Sequence, residues 1–368
     1  MKSCSSNAIG ISLLFVIVLS MIVPVSCGTL VEVKDDLDEH SYYCTIFSIT
    51  KGEKVFFGNN EDYRFEPETS FISFVPSQEI PNFRNLPGFN DTITIFSLMV
   101  VGSIVNQNNQ NFFCPQGGMN DQGLCFDANS IPGQTLDTSD SDWNPMDAHW
   151  DILWHCQTVK DVINWYENHT VSYSPWNGQW NYVDATGAGV VVTAADGEVK
   201  FIGREDESYL VSTNFNRADP SSHYFEYPCW RYNTAVSMLD EIDNEEELTV
   251  DACQDILDAT HFERGIFNDI QTLYSTIYDP LELNIYLNYL HNFHETVIFN
   301  LEDECAKIDA LNANHSFNSQ IQDRTYLMKD FFNYTESDHT FPIYAIIGLG
   351  VGAPALGLVV LVLIRRRR

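Results

Sequence analysis

Cys44 and Asp62 bracket the stretch of this chain best suited to chemistry, Cys44-Thr45-Ile46-Phe47-Ser48-Ile49-Thr50-Lys51-Gly52-Glu53-Lys54-Val55-Phe56-Phe57-Gly58-Asn59-Asn60-Glu61-Asp62-Tyr63. Two apolar runs flank a Lys-Gly turn, the pattern of a β-hairpin. Folding the chain back makes a thiol and a carboxylate neighbours in space. A cysteine that follows a removable segment can act as an N-terminal nucleophile. Its own freed α-amine, with a pKa of about 8, would take the thiol proton near neutral pH. The same residues also fit a buried structural cysteine with a loop aspartate, since free cysteine is among the most buried residue types.

The ends of the chain define the compartment that this chemistry would occupy. Lys2 precedes an apolar run from Ile9 to Val25 that stops at Ser26-Cys27-Gly28. That is the make-up of a secretory signal peptide, residues 1–27. Residues 28–43 are short and acidic and fit a pro-segment. Ile343 to Ile364 is an uncharged apolar stretch of 22 residues, long enough to span a bilayer. Arg365-Arg366-Arg367-Arg368 follows at once and would stay cytoplasmic. The expectation is a single-pass type I membrane protein at the cell surface, or extracellular, with residues 44–342 as its ectodomain.

Residues 28–342 hold all 51 acidic side chains and a net charge of −37. Such a surface repels nucleic acid and anionic lipid, so neither is an expected ligand. Hydrophobic and aromatic fractions of 44% and 13% are ample for a packed core. Past Cys44 stand Cys114, Cys125, Cys156, Cys229, Cys253 and Cys305. An even six in an oxidising compartment predicts up to three disulfides, leaving Cys44 as the odd thiol. Cys114–Cys125, closing a short loop around the Gly-Met-Asn turn, is the expected first bridge. The cysteine spacings match no zinc template, and no Gly-rich phosphate loop is present, so neither metal nor cofactor is expected. Sequons at Asn90, Asn168, Asn314 and Asn333 mark candidate glycan sites. Oligomeric state stays open.

Elements that could position the thiol follow from periodicity. Thr92 to Ile104 reads as one strand, and Gly117 to Leu124 as a turn into a strand over Cys125 to Ala128. Thr158 to Asn168, Arg231 to Ile242 and Thr249 to Thr260 have helical spacing. Asp196-Gly197 between Gly189–Thr193 and Glu198–Gly203 is a strong hairpin signal. Ser208 to Thr213, Leu273 to Ile277 and Leu283 to Tyr289 read as strands. Strands, helices, then strands predict an α+β fold with layered sheets. His149, His155, His223 and His261 are isolated and read as structural.

In order along the chain, these pieces resemble the N-terminal nucleophile (Ntn) hydrolases of the choloylglycine hydrolase and penicillin acylase type. The closest flavour is that of linear amide C–N hydrolases and acyl-CoA:6-aminopenicillanate acyltransferases. The resemblance rests on Cys44-Thr45, Gly58-Asn59-Asn60-Glu61-Asp62, Gly118-Met119-Asn120-Asp121-Gln122-Gly123-Leu124 and Asp127-Ala128-Asn129-Ser130-Ile131-Pro132. It continues through Asp184-Ala185-Thr186-Gly187, Ser212-Thr213-Asn214-Phe215, Arg231-Tyr232 and Thr272 to Asp279. It implies an αββα four-layer sandwich. It also implies roles: Cys44 as nucleophile after cleavage at Tyr43–Cys44, and Asp62 holding its amine. Asn129 (backbone N–H) and Asn214 (side-chain amide) would form an oxyanion hole, with Asn216 as an alternative to Asn214. Arg231 would join the polar network. In bile-salt hydrolases and penicillin V acylases an Arg follows the glycine of the Gly-Arg-Asn-x-Asp motif; here Asn59 stands there, which weakens a bile-salt or penicillin substrate. The expected activity is hydrolysis of a linear, small-molecule N-acyl amide, such as an N-acyl amino acid or fatty-acyl amide. Acyl transfer to an amine, or a non-catalytic surface role, remains open.

Overall fold

The computed structural model describes residues 44–64, 69–81, 92–107, 110–134, 136, 145–171, 176–204, 207–220, 229–263, 270–307 and 325–332. The expected signal peptide, pro-segment, membrane span and basic tail lie outside the described residues, as do Asn90, Asn314, Asn333 and His223. Among the described residues no helix is long and apolar enough to cross a membrane.

Hairpins build most of the chain. The first joins β1 (Thr45–Lys51) to β2 (Lys54–Arg64) in the register Lys51↔Lys54. The loop is therefore Gly52-Glu53, with Gly52 at φ +59°, a left-handed conformation that glycine adopts without penalty. Asp196-Gly197 turns β10 (Gly189–Ala195) into β11 (Glu198–Gly203), with both turn residues at positive φ as a two-residue turn of this kind needs. The expected Thr92–Ile104 strand is two strands, β5 (Thr92–Ile95) and β6 (Leu98–Gln107). Between them the Ser97 N–H donates to Asp121 Oδ2, so this residue leaves the ladder. The glycines at 117 and 118 lie within β7 (Gln110–Asn120), and only the residues after it turn into β8 (Cys125–Gln134).

The remaining strands are β3 (Ser70–Val75), β4 (Gln78–Pro81), β9 (Trp176–Val183), β12 (Tyr209–Ser212), β13 (Ile270–Asp279), β14 (Asn284–Tyr289), β15 (Val297–Asn300) and β16 (Thr325–Leu327). The helices are α1 (Pro145–His155), α2 (Val159–Asn168), α3 (Trp230–Asp240), α4 (Val250–Thr260) and α5 (Leu301–Lys307). Thr158 and Asp161 form a capping box on α2, and Thr249 caps α4, each satisfying N–H groups that the helix start leaves unpaired.

Two antiparallel sheets result. The first runs β12-β1-β2-β13-β14-β15; the second runs β11-β10-β9-β8-β7-β6-β3-β16. Strand alternation sends Ile46, Phe57, Tyr274, Tyr278 and Leu287 of the first sheet against Ile72, Phe74, Met99 and Met119 of the second. The outward residues Phe47, Ile49 and Phe56 pack on Ala235, Leu239, Ile256 and Leu257 of α3 and α4. On the far side, Val100, Phe126, Tyr182 and Val192 pack on Ile152, Trp154, Val162 and Trp165 of α1 and α2. The layers are thus helix, sheet, sheet, helix, as expected.

The cysteine expectation needs correcting. Cys125, Cys156 and Cys253 are buried free thiols, and Cys229 is a half-buried one. A Cys114–Cys125 bridge is ruled out by register. Cys125 pairs with Met119, whereas Cys114 pairs with Ser103 on β6. Five residues of strand separate Cys114 from the partner of Cys125, roughly 16 Å, while a disulfide needs Cα atoms within about 7 Å.

Candidate active site

Cys44 stands immediately before β1, with β12 on one side of that strand and β2 on the other. The β1–β2 ladder pairs Thr45 with Asn60, so its next rung sets Cys44 opposite Glu61. Alternation then divides the neighbours. Cys44, Asn59 and Glu61 turn toward the space between the sheets; Thr45, Asn60 and Asp62 turn toward α3 and α4. Asn60 shows the second direction directly, its Nδ2 donating to Leu257 O and Thr260 Oγ1 of α4. A β-bulge in β13 between Thr272 and Tyr274, opposite Asp62 and Glu61, sharpens this corner.

On the helix side, four of the expected residues converge. The backbone N–H of Cys44 donates to Asn214 Oδ1 at 3.0 Å. Arg231, the second residue of α3, donates from Nη1 to Cys44 O at 2.6 Å and to Thr45 Oγ1 at 3.0 Å. Its Nη2 donates to Asn214 Oδ1 at 2.9 Å. Asp62 Oδ2 lies 3.9 Å from Arg231 Nη1, and its Oδ1 accepts from Thr272 Oγ1. Asp62 therefore reaches Cys44 through Arg231 and through its own backbone N–H, which faces the thiol; the Cys44 nitrogen goes to Asn214.

The two asparagines offered as alternatives are separated by their partners. Asn216 is bound into the fold: its Oδ1 accepts from Thr193 Oγ1 and Ala218 N, and its Nδ2 donates to Ala194 O. Only Asn214 touches Cys44. With Oδ1 fixed by two donors, Asn214 Nδ2 donates to Ser130 O at 2.9 Å.

Asn129 sits in β8, its Oδ1 accepting from Ser212 Oγ at 2.5 Å and Asn181 Nδ2 at 3.2 Å. The β7–β8 ladder ends at Gly117↔Asp127. Beyond that rung β8 continues beside β9 alone, so its β7-facing edge at Asn129 has no ladder partner.

Between the sheets lies a further group, Glu61, to which the motif resemblance assigns no role. Cys44 Sγ is 3.6 Å from Glu61 Oε2, and Glu61 Oε1 accepts from Gln116 Nε2 at 2.5 Å. Asp127 faces the same space, its Oδ1 accepting from Ala128 N at 2.8 Å. Glu61, Asp127 and the thiol are buried, as is Asp62 on the helix side. Burial, then the Glu61 and Asp62 carboxyls, raise the Cys44 thiol well above its usual value. Burial first, and the neighbouring Asp62 second, push Glu61 up to about 8. Burial lifts Asp62 to about 8, opposed by Arg231 and Thr272. Asp127 is raised by burial and by Glu61. The resting thiol is therefore protonated, and attack needs a base at the moment of bond formation.

Among the described residues no cluster of His, Cys, Asp and Glu is arranged to hold a metal ion. His149 is a core residue: it stacks on Phe126, its Nδ1 lies 3.1 Å from Tyr182 Oη, and burial lowers it to about 3.

No protein-family model and no curated protein matches the sequence. Solved structures do. The four-layer fold is shared with conjugated bile acid hydrolase and penicillin V acylase. Two variant forms of conjugated bile acid hydrolase from Clostridium perfringens each superpose with a TM-score of 0.53 at 16% identity, covering 71% of this chain and 93% of theirs. Penicillin V acylase from Agrobacterium tumefaciens superposes with a TM-score of 0.51 at 13% identity, covering 67% of this chain and 82% of its own.

Proposed function

We propose that this chain hydrolyses linear amide C–N bonds through Cys44. One observation carries the reading: the Cys44 nitrogen, the Asn214 amide and the Arg231 guanidinium are joined in one largely buried hydrogen-bonded cluster at the start of a central strand. A structural cysteine needs no such apparatus around its backbone nitrogen. The likeness to amide hydrolases supports the same reading at the level of the fold.

In the proposed reaction, cleavage at Tyr43–Cys44 converts the Cys44 nitrogen to an amine. The amine takes the thiol proton as Sγ bonds to the amide carbonyl carbon. The oxyanion is held by Asn214 Nδ2 and the Asn129 backbone N–H, donors that act where charge develops. The C–N bond then breaks, and the amine passes its proton to the leaving nitrogen. Water attacks the thioester, its proton returns by way of the same amine, and the S–C bond breaks to restore the thiol. Asn214 orients the amine; Asp62 and Arg231 hold that arrangement. Secretion and a membrane anchor over residues 343–364 remain part of the proposal on the sequence alone.

The test is a screen of acyl amides against the purified protein with Cys44→Ala beside it. Amide cleavage that disappears in the variant supports the reading. Cleavage that persists, or an absence of cleavage across acyl chains and amines, overturns it.

A further inference from the structure

The intersheet side of the thiol is acidic, and its polar groups are incompletely satisfied. Glu61 and Asp127 both face it, and among the described residues no basic side chain acts on either. Arg231 is committed to the opposite face, on Cys44 O, Thr45 and Asn214. Asn59, a neutral side chain, is buried beside Glu61 and Asp127.

Three buried atoms here have no hydrogen-bond partner: Asp127 Oδ2 and both amide atoms of Asn59. Asn59 is fully buried and lies close enough to both carboxyls for its amide to oppose the upward shift of each, without meeting strict hydrogen-bond geometry to either. Leaving a buried polar group unpaired is costly, so such atoms need an explanation. Gly117 provides the room. A Cβ at that position would stand 2.3 Å from Asp127 Oδ2, so the glycine is what lets the carboxyl lie against β7. Glu61 is held from behind by Gln116, whose Oε1 accepts from Ser103 Oγ and Tyr274 Oη. One carboxyl is braced with an oxygen on the thiol; the other presents an unpartnered oxygen nearby.

We infer that the acyl group handled by Cys44 carries a protonated amine beside the scissile carbonyl, and that Glu61, Asp127 and Asn59 recognise this ammonium. The inference rests on the amide-hydrolase reading and names its substrate class: α-aminoacyl amides, in place of the fatty-acyl or anionic amides that sequence alone left open. A carbonyl carbon bonded to Sγ places an α-substituent within a few ångströms of it, the range that Glu61 Oε2 already occupies at 3.6 Å. An ammonium brings three donors, which suits one oxygen of each carboxyl and Asn59 Oδ1, and its charge favours the ionised form of carboxyls that burial otherwise raises. A neutral acyl chain would leave Asp127 Oδ2 and Asn59 Oδ1 buried without partners, the situation in which a polar site discriminates most strongly.

The test compares L-alanyl-4-nitroanilide with propionyl-4-nitroanilide, which differ only by the amine, on the purified full chain near pH 7. The expected result is a kcat/KM at least roughly 100-fold higher for the alanyl compound. Asp127→Asn and Glu61→Gln should each shrink that ratio by about tenfold or more, and either suffices if the other does not fold. Equal rates, faster propionyl cleavage, or cleavage of neutral acyl amides with none of the alanyl compound would overturn the inference while leaving Cys44 chemistry standing. No cleavage of any acyl amide would instead remove the functional reading beneath it.

Discussion

Cys44 and Glu61 are cross-strand partners whose side chains meet between the two sheets, Sγ to Oε2 at 3.6 Å, while the adjacent Asp62 turns to the helix layer and Arg231. The thiol therefore has a different carboxyl on each side of its strand. The helix side holds its nitrogen and carbonyl; the intersheet side holds its sulfur.

Asn214 and Asn216 should part company by experiment. Asn214→Ala removes the acceptor of the Cys44 nitrogen and a proposed oxyanion donor. It should lower kcat by about 100- to 1000-fold with little change in KM. Asn216→Ala removes three hydrogen bonds, two of them fully buried, and should cost stability, about 1–3 kcal/mol, with kcat per folded molecule retained. Steady-state kinetics and denaturant melts on both variants check this. Near wild-type turnover in Asn214→Ala would remove it from the mechanism.

The carboxyl facing the thiol should leave a mark on stability. The folded-state pKa of Glu61 is raised from 4.5 to about 8, so the folded chain holds a proton that the unfolded chain gives up. Its contribution is fully present below about pH 4.5 and is lost as pH rises through about 8, at up to about 1.4 kcal/mol per pH unit. Glu61→Gln cannot ionise. Its Tm relative to wild type should therefore climb between pH 5 and 8; a flat difference would mean that Glu61 is already ionised in the folded protein.

Much of this geometry is legible in the hairpin. A hairpin with a two-residue turn pairs positions of fixed parity. Whether the turn is taken at Lys51-Gly52 or at Gly52-Glu53, Asn59 and Glu61 share the face of Cys44 and Asp62 does not. Motif resemblance points to Asp62, whereas period-two alternation alone points to Glu61. The capped helices α2 and α4 and the Asp196-Gly197 hairpin were legible because their signals are local. Strands such as β3 and β9 were not, because each is defined by partners distant in sequence: Ile72 pairs with Val101, and Asn129 with Gln179. The Cys114–Cys125 bridge failed for the same reason, since proximity along the chain says little about register.

Thiol chemistry offers a third expectation. Cys125, Cys156 and Cys253 are buried, and burial raises each thiol, Cys156 to about 12. Under non-reducing conditions all three should resist alkylation in the folded chain and label fully once unfolded. Peptide mapping that found any of them in a disulfide would contradict the structure.

Processing supplies a fourth. A blocked Cys44 nitrogen cannot accept a proton, so the active chain should begin at Cys44, released by an N→S acyl shift at Tyr43–Cys44. Cys44→Ala should abolish this cleavage. A fully active protein that still carries residues 28–43 would exclude the amine as base.

The most direct measurement is peptide mapping of the protein acid-quenched during turnover of an acyl amide. The account predicts an acyl group on Cys44, released by hydroxylamine as a thioester and absent from Cys44→Ala together with all turnover. Undiminished turnover by Cys44→Ala would contradict it.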